Sequence, residues 1–346
     1  MEKITLTIDG MEITAPRGRS VLETALDNGI YIPHLCHHPD LKPAGICRVC
    51  LAEINGRMAV SCRTFVEEGM IVRTGGPAVD KVRRVAVELL VADHHSDCLT
   101  CGKNNECKLQ EVAQFVGVDP SRLEQLKARE LRPIDDSHPF IIRDQNKCVL
   151  CGICVRVCHE VQGAGAIDFS FRGYDTRIST FGDKPLPESA CESCGECVER
   201  CPVGALLPKN RAKPSYEVKT VCGYCGCGCG IYLGVRDAVI VSARGDRSSP
   251  VNQGNLCVKG RFGYQFVNHR DRLTMPLVKR NGKFEEASWD EALDLVAGKF
   301  QEVCAKYGPE ALGGLSSARA TNESNYLFQK LLRSLGTNSV DCCARL

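Results

Sequence analysis

One cysteine spacing occurs twice. C-x2-C-x2-C-x3-C is found at Cys148, Cys151, Cys154 and Cys158, and again at Cys191, Cys194, Cys197 and Cys201. Loops this crowded with thiols bury little apolar surface of their own, so disulfides or metals must organise them. The 346-residue chain holds 23 cysteines in all. Disulfides need an oxidising compartment, yet the chain opens on MEKITLTIDG, an alternating strand pattern without the basic start and apolar block of a signal peptide. No apolar run is long enough to span a bilayer. A cytoplasmic chain with clustered thiols is read as a metal protein, long enough for two or three domains.

Charge excludes one function class and misleads about another. The 44 basic residues are matched by 42 acidic ones, which argues against nucleic-acid binding. A four-thiolate iron–sulfur cluster carries about −2 when oxidised, so a chain holding several would be acidic. Arg48, Lys147, Arg156, Arg200 and Lys259 stand beside cysteines and could offset that charge, or serve as ordinary surface charges.

The cysteines fall into successive modules. Alternating Ile4, Leu6 and Ile8, then Asp9-Gly10, then Met11 and Ile13, predict a hairpin with a two-residue turn. Ser20 and Glu23 predict a capping box for a short helix ended by Gly29. Cys36, Cys47, Cys50 and Cys62 follow at C-x10-C-x2-C-x11-C, four soft ligands suited to a [2Fe–2S] centre, with zinc the alternative. His34, His37 and His38 are read as loop residues. Val79, Val82, Val85, Ala86, Leu89 and Leu90 predict one face of a helix that delivers His94. His94, Cys98, Cys101 and Cys107 give H-x3-C-x2-C-x5-C, one imidazole and three thiolates for a [4Fe–4S] cluster, with His95 the competing histidine. Ala128–Pro139 and Pro208–Pro214 read as linkers. Cys222, Cys225, Cys229 and Cys257 give C-x2-C-x3-C-x27-C, a further [4Fe–4S] candidate in which Cys227 is an intruder by spacing. Ser288 and Glu291 cap a helix with apolar Ala292, Leu293, Val296 and Phe300. Ala311–Leu315 could be a strand, and Asn322–Leu335 a helix closed by Gly336, the start of an α/β domain.

Each module carries a resemblance. The Cys36–Cys62 loop resembles the β-grasp ferredoxin domain that opens the large iron–sulfur subunit of respiratory complex I and many iron-only hydrogenases, and the His94 run follows that domain in the same relatives. The three-residue gap in those relatives favours His94 over His95. The doubled spacing resembles bacterial two-cluster ferredoxins, in which each fourth cysteine serves the other cluster. This implies Cys148, Cys151, Cys154 and Cys201 on one cluster, and Cys191, Cys194, Cys197 and Cys158 on the other. "GNLCVKGRFG" around Cys257 resembles the molybdenum or tungsten bis-pterin oxidoreductases, where the lysine matching Lys259 helps electrons cross between cluster and pterin; a solvated charge is the plain alternative. "SWDEAL" and "TNESNYLFQKLLRSLGTNSVDCCARL" resemble the first pterin-binding domain of formate dehydrogenases.

Together these identify the chain as resembling the amino-terminal part of a cytoplasmic formate dehydrogenase catalytic subunit. The fold class implied is an α+β multidomain iron–sulfur protein. Its expected domains are a β-grasp [2Fe–2S] ferredoxin (1–76), a [4Fe–4S] module of one histidine and three cysteines (77–118), a two-[4Fe–4S] ferredoxin (138–210), a bis-pterin type [4Fe–4S] domain (215–275) and an incomplete α/β domain (276–346). The resemblance implies one [2Fe–2S] and four [4Fe–4S] clusters, with a molybdenum or tungsten bis-pterin guanine dinucleotide in the full-length enzyme. Formate would be converted reversibly to carbon dioxide. Electrons would run from the Cys222 cluster through the ferredoxin pair, the His94 cluster and the [2Fe–2S] centre to an NAD(P)-, ferredoxin- or hydrogenase-linked partner subunit. The metal ligand is expected just after Leu346, at a selenocysteine codon read as stop, so the 346-residue chain alone is expected to be inactive on formate. Two other readings stand beside it: a complex I large-subunit or hydrogenase relative, and a non-catalytic electron-transfer chain. No nucleotide or flavin fingerprint is visible, and the glycines among Cys222–Cys229 suit a tight cluster loop better than a phosphate cradle. Nineteen cysteines are thus assigned as ligands, leaving Cys227, Cys304, Cys342 and Cys343 over, the last two expected to pack beside the metal pocket.

Overall fold

The hydrophobic alternation at the start of the chain becomes a hairpin in the computed structural model, which describes residues 2–123, 126 and 130–343. Strands β1 (Lys3–Ile8) and β2 (Met11–Pro16) pair antiparallel with Ile8 opposite Met11. Asp9 and Gly10 both take positive φ, as a two-residue turn matched to strand twist requires. Helix α1 (Val21–Asp27) starts at the expected capping box: Ser20 accepts from the Glu23 N–H, and Glu23 reaches back to the Ser20 N–H. Strands β3 (Leu51–Ile54), β4 (Arg57–Val60) and β5 (Ile71–Arg73) complete a five-stranded sheet of order β2-β1-β5-β3-β4, with β1 and β5 parallel. Its core unites Leu6, Ile8 and Leu22 with Cys50 and Cys62.

The chain divides into two compact units, Met1–Arg211 and Ala212–Leu346, with the division inside the expected second linker. In the first, α2 (Pro77–Ala92) forms where the apolar periodicity placed it but buries a different face. Val79, Arg83 and Val87 point inward, while Val82, Val85 and Leu89 are exposed. The buried stripe runs through an arginine, which a hydrophobicity pattern reads as surface. Helices α3 (Lys108–Val116) and α4 (Pro120–Leu123) follow. Ala128 and Arg129 of the expected first linker lie outside the described residues; the rest of it is fastened down. Asn146 exchanges side-chain hydrogen bonds with the Arg132 backbone, and buried His138 meets the Ser193 hydroxyl at 3.0 Å. Strands β6 (Ile141–Arg143) and β9 (Leu206–Pro208) clasp the ferredoxin-like region at its two ends. Between them lie α5 (Ile153–Arg156), the hairpin β7 (Asp168–Ser170)–β8 (Arg177–Ser179), and α6 (Glu196–Glu199).

In the second unit, β10 (Tyr216–Val221), β11 (Gly230–Arg236) and β12 (Val239–Gly245) form an antiparallel meander, followed by α7 (Val258–Phe262). A hairpin of β13 (Leu277–Arg280) and β14 (Lys283–Glu286) leads into α8 (Trp289–Tyr307), capped by Ser288 on the Glu291 N–H as expected. The strand expected over Ala311–Leu315 is instead β15 (Gly314–Ser316), because Pro309–Ala311 turns as a 3-10 helix. Helix α9 (Asn322–Ser334) then crosses over to β16 (Val340–Cys342), parallel to β15, completing one βαβ unit.

Candidate metal centres

No disulfide links any of the 23 cysteines, and the structure sorts the expected ligands into groups. Cys36 comes from the long loop after α1, while Cys50 and Cys62 flank the β3–β4 hairpin, whose Ser61 N–H and hydroxyl both donate to the Cys50 carbonyl. Cys36 is in hydrogen-bond contact with Cys47 and Cys62, and Cys62 with Cys50, so the four thiols form one knot. Those bonds pull the Cys36 thiol far down and push Cys47 and Cys62 up, the signature of shared protons where a metal would hold thiolates. Neighbouring modules each bring an arginine here. Buried Arg83 from α2 donates to the Leu51 carbonyl, and Arg156 from α5 to the Cys36 carbonyl. His37, read as a loop residue, is half-buried beside this group; burial pushes its pKa down, and its Nδ1 has no hydrogen-bond partner.

His94 sits just past the end of α2. Burial pushes its pKa down, toward the neutral form that can ligate, and its Nδ1 is buried without a hydrogen-bond partner. An orphaned ring nitrogen in register with three thiols fits a metal ligand. His95 is exposed. Cys107 caps the start of α3 and lies within electrostatic range of Cys98 and Cys101. Sequence reasoning missed Lys147 as a specific partner here: this buried amine pairs with Asp97 at 2.9 Å and lies close to Cys101.

The doubled spacing produces doubled geometry. Leu150 N–H points at Cys148 Sγ and Ser193 N–H at Cys191 Sγ, each 3.4 Å away. Leu150 and Ser193 both take positive φ, as do Gly152 and Gly195, which open α5 and α6. These turns aim backbone donors at sulfur and so favour thiolate. Cys151 and Cys154 feel Cys148 and Cys201, Cys154 also feels Cys197, and Cys197 feels Cys194, Cys191, Cys158 and Cys201, so the two halves of the repeat adjoin. Burial is the main cause pushing Cys151, Cys154, Cys197 and Cys201 up. One small cavity is lined by Cys148, Cys151, Cys154, Cys197 and Cys201. Cys151 also feels Cys36. The Cys36 group therefore neighbours this part of the ferredoxin region.

In the second unit, Cys222 opens a loop closed by its N–H on the Cys229 carbonyl at 2.8 Å, and Cys257 caps α7. Cys222 feels Cys257, Cys225 and Cys227; Cys229 lies 3.6 Å from Cys227. The spacing intruder thus joins the same thiol group. Lys259 lies on the first turn of α7 and is exposed. Gly226 of the cluster loop donates its N–H to the Ala318 carbonyl at 3.1 Å, just past β15. A crevice at the C-terminal ends of β15 and β16 is lined by Ser316, Ser317, Asn325, Asp341 and Cys342, the usual ligand position in a parallel sheet. Cys342 and Cys343 are exposed, Cys342 on the wall of this crevice, and Ala344, Arg345 and Leu346 lie outside the described residues. Among the described residues no group of three or more His, Cys, Asp or Glu converges as for a single metal ion. A cluster spreads its ligands over several irons.

Known domains map onto these groups. Residues 1–77 match a 2Fe-2S iron-sulfur cluster binding domain, and 83–122 the NADH-ubiquinone oxidoreductase-G iron-sulfur binding region. Residues 138–207 match the ferredoxin-like domain of NADH-quinone oxidoreductase subunit 3, 216–269 the molybdopterin oxidoreductase Fe4S4 domain, and 272–346 molybdopterin oxidoreductase. The chain is a multidomain iron–sulfur protein with 2Fe–2S, 4Fe–4S and molybdopterin oxidoreductase domains. Segment by segment it is similar to molybdopterin oxidoreductases and to NADH-quinone oxidoreductase G-like proteins. It is 38% identical to a G-type NADH-quinone oxidoreductase subunit of Rhizobium meliloti, over 99% of this chain and 40% of that one. A Staphylococcus aureus protein provisionally named formate dehydrogenase is 32% identical, over 99% of this chain and 39% of the relative. A solved chain of an NAD+-reducing [NiFe]-hydrogenase in the H2-reduced state aligns at 36% identity and TM-score 0.55, covering 60% of this chain and 87% of that one. The chain spans about two fifths of the length of these curated relatives. Among the described residues no helix is long and apolar enough to cross a membrane.

Proposed function

We propose that this chain is the electron-transfer portion of a cytoplasmic formate dehydrogenase. Its clusters carry electrons between a molybdenum or tungsten bis-pterin guanine dinucleotide centre and a partner subunit that uses NAD(P), ferredoxin or hydrogen. Cys36, Cys47, Cys50 and Cys62 hold the [2Fe–2S] centre, and His94, Cys98, Cys101 and Cys107 the mixed-ligand cluster. Cys148, Cys151, Cys154 and Cys201 hold a third, Cys158, Cys191, Cys194 and Cys197 a fourth, and Cys222, Cys225, Cys229 and Cys257 the fifth. The observation that carries this reading is the hydrogen bond from Gly226 to Ala318, which seats the fifth cluster's loop against the βαβ crevice. The bound metal-pterin would exchange two electrons with formate, and single-electron clusters divide that pair. Lys259, two residues beyond Cys257, bridges the two groups.

Higher identity to the NADH-quinone oxidoreductase relative favours a second reading, in which the clusters serve a nicotinamide-driven complex and formate is not a substrate. Adding formate, or a reduced nicotinamide with the partner subunit, to the full-length protein under argon separates them. Cluster EPR signals that rise with formate support formate dehydrogenase; signals that rise only with the nicotinamide support the second reading. The 346-residue chain itself is expected to hold about 18 iron atoms and to reduce no dye with formate.

A further inference from the structure

Arg156 lies in sequence between Cys154 and Cys158, ligands assigned above to the two different ferredoxin clusters. Its guanidinium leaves that module and forks onto two carbonyls of the β-grasp loop, donating through Nη1 to Lys42 at 2.8 Å and through Nη2 to Cys36. Among the described residues these acceptors are both neutral, and its buried Nε has no partner. The neighbouring seam contact is different in kind. Arg200 is buried and paired with Asp40 at 2.9 Å and with Glu196, so its charge is neutralised where it sits. The Glu160 carboxylate also crosses the seam, accepting from the Lys42 N–H at 3.1 Å. Arg200 is thus a fastening ion pair, and Arg156 a cation aimed at a ligand's own peptide.

We propose that Arg156 is a positioning residue for electron transfer. It fixes Cys36 against the ferredoxin pair and places a positive charge beside the [2Fe–2S] centre that raises that centre's reduction potential. The proposal rests on the cluster assignments above. Reduction adds one negative charge to the cluster, and an unneutralised guanidinium at a ligand's carbonyl stabilises the reduced form more than the oxidised one. The same fork gives a bonded route of few atoms from the Cys36 peptide to the segment joining Cys154 and Cys158. A lysine there keeps the charge but can serve one carbonyl at a time.

The test is an EPR-monitored redox titration of the iron-loaded 346-residue chain and three variants. Arg156→Gln is expected to keep its [2Fe–2S] signal while the midpoint potential moves negative by about tenfold in the reduction equilibrium, or about 59 mV for a one-electron couple. Arg156→Lys is expected to move it the same way by less, and Asp40→Asn, which removes a negative charge from the seam and leaves Arg200 with Glu196, not to move it negative. An unshifted Arg156→Gln potential with an intact signal, or an equal negative shift in Asp40→Asn, overturns the proposal. If the glutamine variant does not assemble, the lysine variant decides: a potential at or above that of the unaltered chain is the overturning result. A missing [2Fe–2S] signal in the unaltered chain would instead sink the cluster assignment itself.

Discussion

At the scale of single residues, the grouping of the thiols was legible and their surroundings were not. Cysteine spacing reports chemistry directly, because loops of fixed length bring thiols to fixed places. What holds those loops against one another depends on contacts between segments far apart in sequence. Gly204 is such a residue. Its backbone is unexceptional, but a Cβ there would stand 2.5 Å from Cys101 Sγ and 3.2 Å from the Lys147 side chain. Nothing in "CPVGA" announces that a glycine is needed for a thiol of another module. Gly204→Ala must displace Cys101, and a ligand held in a cluster cannot swing aside. The variant is expected to lose the His94 cluster, about four irons per chain, while the [2Fe–2S] EPR signal stays. Unchanged iron content would show that the His94 group tolerates the methyl.

Among elements, the turn and the caps were read well because they are local. Asp9-Gly10, the Ser20–Glu23 box and the Ser288 cap each follow from a few adjacent residues. The face of α2 was misread because burial there is set by Arg83 reaching the Leu51 carbonyl, a contact 32 residues away. Helix α8 shows the converse. Its apolar stripe is present, yet none of its residues is buried, and Leu293 is 59% exposed. Leu22 on α1 is fully buried beneath the five-stranded sheet. Two leucines on two amphipathic helices should therefore behave differently in this chain. Leu22→Ala is expected to cost about 2–5 kcal/mol and Leu293→Ser within about 0.5 kcal/mol, measured by calorimetry on the iron-loaded protein. A large loss at Leu293 would mean that this face is covered in solution.

For the molecule as a whole, the thiols link folding to metal and to pH. Burial raises Cys151, Cys154, Cys197 and Cys201 above the ordinary thiol range in the metal-free fold. A folded state that keeps its protons where the unfolded chain gives them up is favoured at low pH and loses ground as pH rises past about 8.5. The iron-free chain should thus show a melting temperature that falls from about pH 7 to about pH 10. The loaded protein, whose thiolates are already paired with iron, should lack this component, and loading should release protons into a weakly buffered solution. A melting temperature equally flat in both forms would count against buried thiols as the cause. The division into units supplies a last expectation. The first unit ends at Arg211, in an exposed stretch with Lys209 as a further tryptic site. Its sheet, its clasp of β6 on β9 and its four cysteine groups all close within residues 1–211. Brief trypsin treatment of the loaded chain should therefore release an amino-terminal fragment that elutes as a folded species and keeps the brown colour and the [2Fe–2S] signal. The remainder should retain the iron of one cluster at most. Bleaching of the amino-terminal fragment on cleavage would show that its clusters depend on residues beyond Arg211.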